Sequence, residues 1–369
     1  IITGEASSYF GYSLTSGDFN SDGRIDLDVG AYAYSSFTGR AYIFHNDGSI
    51  PTTAGTADVI ITGEASSYFG YSLTSGDFNS DGETDLAAGG IGSSTGRAYI
   101  FHNDGSIPTT AATADVIITG ETAGNLFGSS LTSGDFNSDS RIDLAVGAYA
   151  YSSSTGRAYI FYNDGSIPTT AATADVTITG ETTSNSFGTS LASGDFNADG
   201  TTDLAVGASQ YSTSTGRAYI FYNDGSIPTT AATADVIITG EAVNNSFASS
   251  FVSGDFNSDG KIDLTISSSS HSGGRTYIFY SQNGVVNTNK NITGEASSNY
   301  LGYSLTSGDF NSDGRIDLAV GAYGYSTNTG RAYIFYNDGS IPTTAGTADV
   351  TITGEATNNY FGISLTSGD

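Results

Sequence analysis

One phrase, Gly-Asp-Phe-Asn-Ser-Asp-Gly-x-x-Asp-Leu, returns seven times with small variations, at intervals of 54 to 60 residues. A period of that length marks a repeat architecture, in which each unit buries its apolar surface against its neighbours. In the first copy Asp18, Asn20, Asp22 and Asp26 fall on alternating positions and then four further on, around Gly23. Oxygen donors so spaced, with a glycine that lets the loop turn sharply, suit a hard cation of high coordination number. Six copies are complete, and the seventh reaches only its first ligand position, Asp369.

Between the acidic loops the chain reads as short strands. In the third copy, residues 127–133 lead into the loop, Asp143 to Ala148 follow it, and Arg157 to Tyr162 come after a Ser/Thr/Gly turn. Asn163-Asp164-Gly165 then makes a tight turn, and residues 175–181 close the unit. These runs are rich in β-branched and aromatic residues and bounded by Gly, Asn, Asp, Ser and Pro. Stretches such as Ala-Tyr-Ile-Phe are apolar at consecutive positions, the pattern of a strand buried on both faces. No segment shows helical periodicity. The expected fold is all-β: a β-propeller of four-stranded antiparallel blades, with an open β-solenoid as the runner-up.

First-strand and fourth-strand motifs each occur seven times, and the two middle strands six times. The expectation is one propeller over residues 1–369, seven-bladed with the seventh blade incomplete. Residues 1–9 would be the outer strand and 360–369 the inner strand of that closing blade. The complete blades would run approximately over 10–68, 69–126, 127–186, 187–246, 247–299 and 300–359. A six-bladed arrangement with a redundant repeat at the ends is the alternative.

Charge and composition narrow the function. The chain holds 38 acidic residues against 11 basic ones, a net charge of −27. Phosphate binding needs clustered Lys and Arg, so nucleic acid is excluded as an expected partner. Three aspartates in each complete loop account for 18 of the 38 acids, so much of the acidity belongs to the loops. There is no cysteine, hence no disulfide and no thiol chemistry. No apolar run approaches the ~20 residues of a membrane helix.

Phe10-Gly11, the loop from Asp18 to Asp26, and Gly30-Ala31 resemble the FG-GAP repeat of integrin α-subunit propellers and their relatives. The resemblance covers nearly the whole chain and implies calcium in the loops joining first and second strands, about six sites. Carried over by position, the ligands would be Asp18, Asn20, Asp22 and Asp26; Asp77, Asn79, Asp81 and Asp85; and Asp135, Asn137, Asp139 and Asp143. Then follow Asp195, Asn197, Asp199 and Asp203; Asp255, Asn257, Asp259 and Asp263; and Asp309, Asn311, Asp313 and Asp317. The seventh loop residue (Arg24, Glu83, Arg141, Thr201, Lys261 or Arg315) would add its main-chain carbonyl. Ser140 replaces the loop glycine in copy three; if that position needs a positive φ, serine costs about 1 kcal/mol there. Copy five is shorter, lacks the Asn-Asp-Gly-Ser-Ile-Pro turn, and has Ser267-Ser268 where Gly-Ala is usual.

Other recurring residues read as architecture. Glu5, Glu64, Glu121, Glu181, Glu241, Glu295 and Glu355 end the fourth strands, and Arg40, Arg97, Arg157, Arg217, Arg275 and Arg331 begin the third. Presence in every copy suggests ion pairs within or between blades. Tyr32, Tyr34, Tyr149, Tyr151, Tyr211, Tyr323 and Tyr325 cluster after the second strands; exposed, they would offer stacking faces to sugars or proteins, and packed, they would brace neighbouring blades. His45, His102 and His271 form no catalytic constellation. The functional expectation is a non-enzymatic, calcium-stabilised adhesion or structural module at a cell surface or outside the cell. Its partner would be a protein or glycan, or another copy of the chain through the incomplete blade. A multivalent carbohydrate-binding lectin is the alternative.

Overall fold

The computed structural model describes residues 1–92, 94–282 and 285–368. They form two compact units, residues 1–179 together with Gly368, and residues 180–367. Each unit contains three four-stranded antiparallel sheets whose strands run in sequence order. In the first unit, β1 (Ser13–Gly17), β2 (Asp26–Ala31), β3 (Arg40–Phe44) and β4 (Val59–Thr62) make blade 1. Blade 2 is β5 (Phe69–Gly76), β6 (Asp85–Gly90), β7 (Arg97–Phe101) and β8 (Val116–Thr119). Blade 3 is β9 (Ser130–Gly134), β10 (Asp143–Ala148), β11 (Arg157–Phe161) and β12 (Val176–Thr179).

The second unit repeats the plan. Blade 4 is β13 (Phe187–Gly194), β14 (Asp203–Ala208), β15 (Arg217–Phe221) and β16 (Val236–Thr239). Blade 5 is β17 (Phe247–Gly254), β18 (Asp263–Ser268), β19 (Arg275–Gln282) and β20 (Val285–Thr293). Blade 6 is β21 (Leu305–Gly308), β22 (Asp317–Ala322), β23 (Arg331–Phe335) and β24 (Val350–Thr353). The fold is therefore an all-β propeller type with six four-stranded blades, the six-bladed reading rather than the seven-bladed one. Among the described residues no sheet joins 1–9 to 360–368. Thr3 makes one bridge to Thr53, and Phe361 one bridge to Gly330. The sequence holds only six copies of the middle strands, so a seventh inner strand has no ladder partner. Asp369 lies outside the described residues.

The second strand of each blade is buried along its whole length in five of the six copies, which explains the non-alternating apolar runs. The first strands are half-buried and polar. In the first unit β1 lies beside β5 and β5 beside β9; in the second β13 lies beside β17 and β17 beside β21. Small residues permit this approach. A Cβ on Gly30 would stand 2.2 Å from the Gly70 carbonyl oxygen of the next blade. Between blades the leading phenylalanine packs edge-on against the tyrosine of its own third strand: Phe69 and Tyr99 have ring centres 5.4 Å apart, as do Phe127 and Tyr159. Such pairs add about 1 kcal/mol beyond area burial. In blade 5 the hairpin from β19 to β20 runs out to Gln282 and Val285, with a register shift between Ile278 and Phe279; this takes the place of the missing Asn-Asp-Gly turn.

One buried residue breaks the pattern. Asp28 sits in β2 opposite Thr15 and Ile43, on the face where Ile43 and Ala41 meet Leu86 and Tyr99 of blade 2. The other blades place Ala87, Ala145, Ala205, Thr265 and Ala319 there. Asp28 is fully buried and neither carboxyl oxygen has a hydrogen-bond partner. Burial pushes its pKa up to about 8, and the nearby main chain of Val29 and Tyr42 only partly offsets this. The folded state thus keeps a proton that the unfolded chain loses above about pH 4. Stability falls as pH rises from about 4 to 8 through this group. Asp28→Ala should raise stability at every pH, by roughly 1–3 kcal/mol in mildly acid solution where only the unmet hydrogen bonds are removed, and by more near pH 8. Urea unfolding at the two pH values measures this; an unchanged or lowered midpoint would contradict the assignment.

Candidate metal centre

The six loops share one geometry, set by side chains that accept main-chain N–H groups. In the third loop Asp135 accepts from Asp139 N at 3.0 Å and from Ser140 N at 2.8 Å. Asn137 accepts from Asp139 N at 3.0 Å, and Asp139 accepts from Arg141 N at 2.9 Å. The corresponding bonds recur in the other five loops. Local side-chain acceptors of this kind are why Asp and Asn win over strand formers here. The sixth loop position carries a positive φ in every copy, from 70° at Ser140 to 92° at Gly82. Serine therefore sits in the left-handed region, as the replacement of glycine implied.

The ninth residue of each loop differs from the rest. Asp143 is fully buried; it accepts from Phe136 N at 2.8 Å and from Asn163 N at 2.7 Å. Asp26, Asp85, Asp203, Asp263 and Asp317 make the same two bonds, with Ser281 replacing the asparagine in blade 5. Burial raises their pKa values, to about 6 for Asp85, Asp143 and Asp203 and about 7 for Asp263, and upward for Asp26 and Asp317. The two N–H bonds pull the other way, and the neighbouring loop aspartates add like-charge repulsion.

The structure thus brings each predicted ligand set into one short loop. Among the described residues it gathers no three His, Cys, Asp or Glu side chains into a metal shell. The carboxylates face the loop's own N–H groups instead. The donor chemistry still fits a hard cation: three carboxylates, an amide oxygen and a main-chain carbonyl, with neither nitrogen nor sulfur. A carboxylate oxygen that accepts one N–H retains a second lone pair. At position seven the side chains are otherwise engaged. Arg24, Arg141 and Arg315 donate through Nη1 to the carbonyls of Asn46, Asn163 and Asn337, and Thr201 donates to that of Asn223. Glu83 accepts instead, from the Ser21 hydroxyl.

The tyrosine candidates divide. Tyr34, Tyr151, Tyr211 and Tyr325 lie against Arg40, Arg157, Arg217 and Arg331, with guanidinium carbons 3.7 to 3.8 Å from the ring centres. Each Arg also pairs with a glutamate from the preceding fourth-strand motif: Arg157 with Glu121 at 2.7 Å, Arg217 with Glu181 at 3.0 Å. A buried tyrosine hydroxyl shares the carboxylate, as Tyr99 does with Glu64 at 2.8 Å. These four tyrosines are braces. Sequence held the signal, because each stands six residues before its arginine. Unforeseen were the left-handed turns that aim them: Ser152, Ser153 and Ser154 all hold φ between 48° and 59°, and blades 1, 4 and 6 repeat this. Tyr32 and Tyr323 instead centre aromatic clusters, Tyr32 stacked on Tyr9 at 5.3 Å and Tyr323 on Tyr300 at 5.0 Å. Tyr149 is half-buried, its hydroxyl pKa raised by burial.

Each Arg–Glu pair is about one-fifth to one-half exposed, so screening keeps its worth small. A double-mutant cycle of Arg157→Ala and Glu121→Ala should show a coupling of about 1 kcal/mol, with Arg157→Lys recovering only part because the planar fork and the stacking on Tyr151 are lost. Strict additivity of the two single changes would contradict the brace.

With this geometry in view, comparison with known proteins is direct. The FG-GAP repeat model matches residues 10–44, 69–101, 127–161, 187–221 and 301–335; the divergent blade 5 is not among these. Human integrin alpha-7 is 36% identical over 158 residues, 41% of this chain and 13% of that protein. Integrin alpha-PS5 of Drosophila melanogaster is 35% identical over 215 residues, 54% of this chain and 21% of its own length. Rat phosphatidylinositol-glycan-specific phospholipase D is 32% identical over 200 residues, 47% of this chain and 24% of the relative. The chain spans less than a quarter of the length of each. Among the described residues no helix is long and apolar enough to cross a membrane. Five stretches of the chain are FG-GAP repeats, and its integrin alpha relatives are consistent with an integrin-like β-propeller.

Proposed function

We propose that the protein is a calcium-stabilised, non-enzymatic adhesion module that works outside the cell and presents its blades to a protein partner. The observation that carries this reading is the sixfold repetition of one all-oxygen donor set in one loop geometry. Asp135, Asn137, Asp139, Asp143 and the carbonyl of Arg141 would hold the ion in the third loop, and their counterparts the others. The cation supplies positive charge where three aspartates crowd, and so ties the loop to the start of the second strand. Cell-surface relatives of the integrin type support the extracellular setting. The role of the ion is structural in this reading, because the same loop recurs in every blade and holds neither histidine nor cysteine. A multivalent glycan reading loses support where the repeated tyrosines are covered by arginine.

The sign of the pH dependence follows from the buried loop aspartates. Without calcium their raised pKa values favour the folded state in acid, and that advantage is lost as pH rises through about 6 to 7. Calcium binds the ionised form, so its affinity falls as pH drops below the same range. The melting temperature in chelator should therefore lie well below that in calcium at pH 7.5, with a much smaller gap at pH 5. Equal transitions at pH 7.5 would refute the structural role. Ser140→Gly should tighten the third site by about fivefold, relieving roughly 1 kcal/mol of backbone strain. Calcium titration calorimetry would show it, and unchanged binding would remove strain as a factor.

A further inference from the structure

The fourth strands share one register position at which a single blade differs. Val59, Val116, Val176, Val236 and Val350 each stand opposite an isoleucine of their third strand. In blade 5 the residue in that register is Lys290, opposite Ile278, and the shift in the hairpin falls directly beyond this pair. The residue before the valine is an aspartate in all five blades: Asp58, Asp115, Asp175, Asp235 and Asp349. In blade 5 it is Asn289. The exchange of Asp-Val for Asn-Lys moves this place by two charges toward positive, in a chain whose net charge is −27.

Lys290 lines a pocket of about 530 Å³ between blades 5 and 6. A corresponding pocket of about 440 Å³ lies between blades 2 and 3. There Val116 stands in the place of Lys290, and Ser80, Arg141 and Asn163 in those of Ser258, Arg315 and Asn337. Neither lining includes a carboxylate. Between blades 5 and 6 two cations from different elements thus meet one cavity, Lys290 from β20 and Arg315 from the acidic loop of blade 6. Neither makes an ion pair among the described residues. Arg315 engages one nitrogen internally, donating through Nη1 to the Asn337 carbonyl at 3.1 Å. Lys290 is half-buried, and burial lowers its pKa with no carboxylate to offset it. Ser258 Oγ accepts from Asn337 Nδ2 at 3.2 Å, so its hydroxyl hydrogen is left to donate. An unpaired ammonium where five blades place valine weakens packing, so stability does not account for it.

We infer that the pocket between blades 5 and 6 binds a tetrahedral oxyanion, the sulfate or phosphate monoester of a sugar-sized molecule, through Lys290, Arg315 and Ser258. Lys290 supplies a point charge, Arg315 the N–H groups not turned to Asn337, and Ser258 its hydroxyl hydrogen. Three donors from three separate elements match an ester anion with three free oxygens better than a carboxylate with two. The volume falls in the range of about 300–1,000 Å³ that small-molecule sites occupy, so the anion is one end of a larger ligand. The inference stands apart from the metal reading, because Lys290 lies in a fourth strand, outside every acidic loop.

The test is a calorimetric titration of the full chain, in calcium-containing buffer, with glucose 6-sulfate, glucose 6-phosphate and glucose itself. One molecule of an ester should bind per chain, and glucose should not. The tighter ester identifies whether the ligand is sulfated or phosphorylated, and either supports the site. Lys290→Val, which installs the residue native to the other five blades, should weaken ester binding by about tenfold or more without lowering the melting temperature. The double change Asp115→Asn with Val116→Lys should create a second site between blades 2 and 3. Absence of saturable binding by both esters, glucose binding as tightly as they do, equal binding by Lys290→Val, or an unaltered stoichiometry in the double variant would overturn the inference.

Discussion

A buried aspartate at the head of each second strand holds the blade together. Asp143 reaches back to the N–H of Phe136, at the start of the acidic loop, and forward to the N–H of Asn163, at the turn after the third strand. One carboxylate so fixes three segments whose outer members, Phe136 and Asn163, are 27 positions apart. Hydrogen bonds to a charged acceptor contribute about 1.5–3 kcal/mol each when made, and leaving their donors buried and unmet costs a similar amount. The burial that makes these bonds effective also penalises the charge. Three of these aspartates are held at about pH 6 and a fourth at about 7. In the proposed function a cation beside them would resolve the conflict, shared with the remaining loop carboxylates.

Along each unit a second device links successive blades. An arginine at the start of the third strand is held by a glutamate from the preceding fourth-strand motif, and in blades 1, 3, 4 and 6 also by a threonine at the end of the fourth strand and by a tyrosine ring. Aiming that ring requires a turn with three consecutive residues at positive φ. Each such residue costs on the order of 1 kcal/mol, and the surrounding packing over-determines it. Blades 2 and 5 have shorter connections there and no tyrosine at that place.

Much of the fold was legible because the repeat exposes its own logic. The acidic loops follow from Asp and Asn at fixed spacing, and the buried strands from apolar runs that do not alternate. The Glu–Arg pairs follow from their presence in every copy. Ser140 was readable as a residue in glycine's conformation because six copies define what the position requires. The blade count was not legible: motif counting treats each terminal copy as half of a blade, whereas a sheet needs the two middle strands that the sequence contains only six times. Serine and threonine give no local hint of a left-handed turn, since their preferences oppose it. For Tyr34, Tyr151, Tyr211 and Tyr325 composition leaves exposure and packing both open, and the six-residue step to arginine is the signal that favours packing. Nor does sequence reveal that Asp28 faces another blade with no partner, because the register alone decides which face it takes.

The acidity of the chain then has two origins with different fates. The proposed function makes the loop aspartates a charge reservoir for metal, while Glu83 makes no ion pair among the described residues. Native mass spectrometry of the protein in calcium-containing ammonium acetate counts the ions that the account requires. Six calcium ions per chain are predicted, five held firmly and one, at the Ser140 loop, lost first as free calcium is lowered. A folded protein that retains no calcium, or only one or two ions, would contradict the claim that the repeated loops are its metal centres.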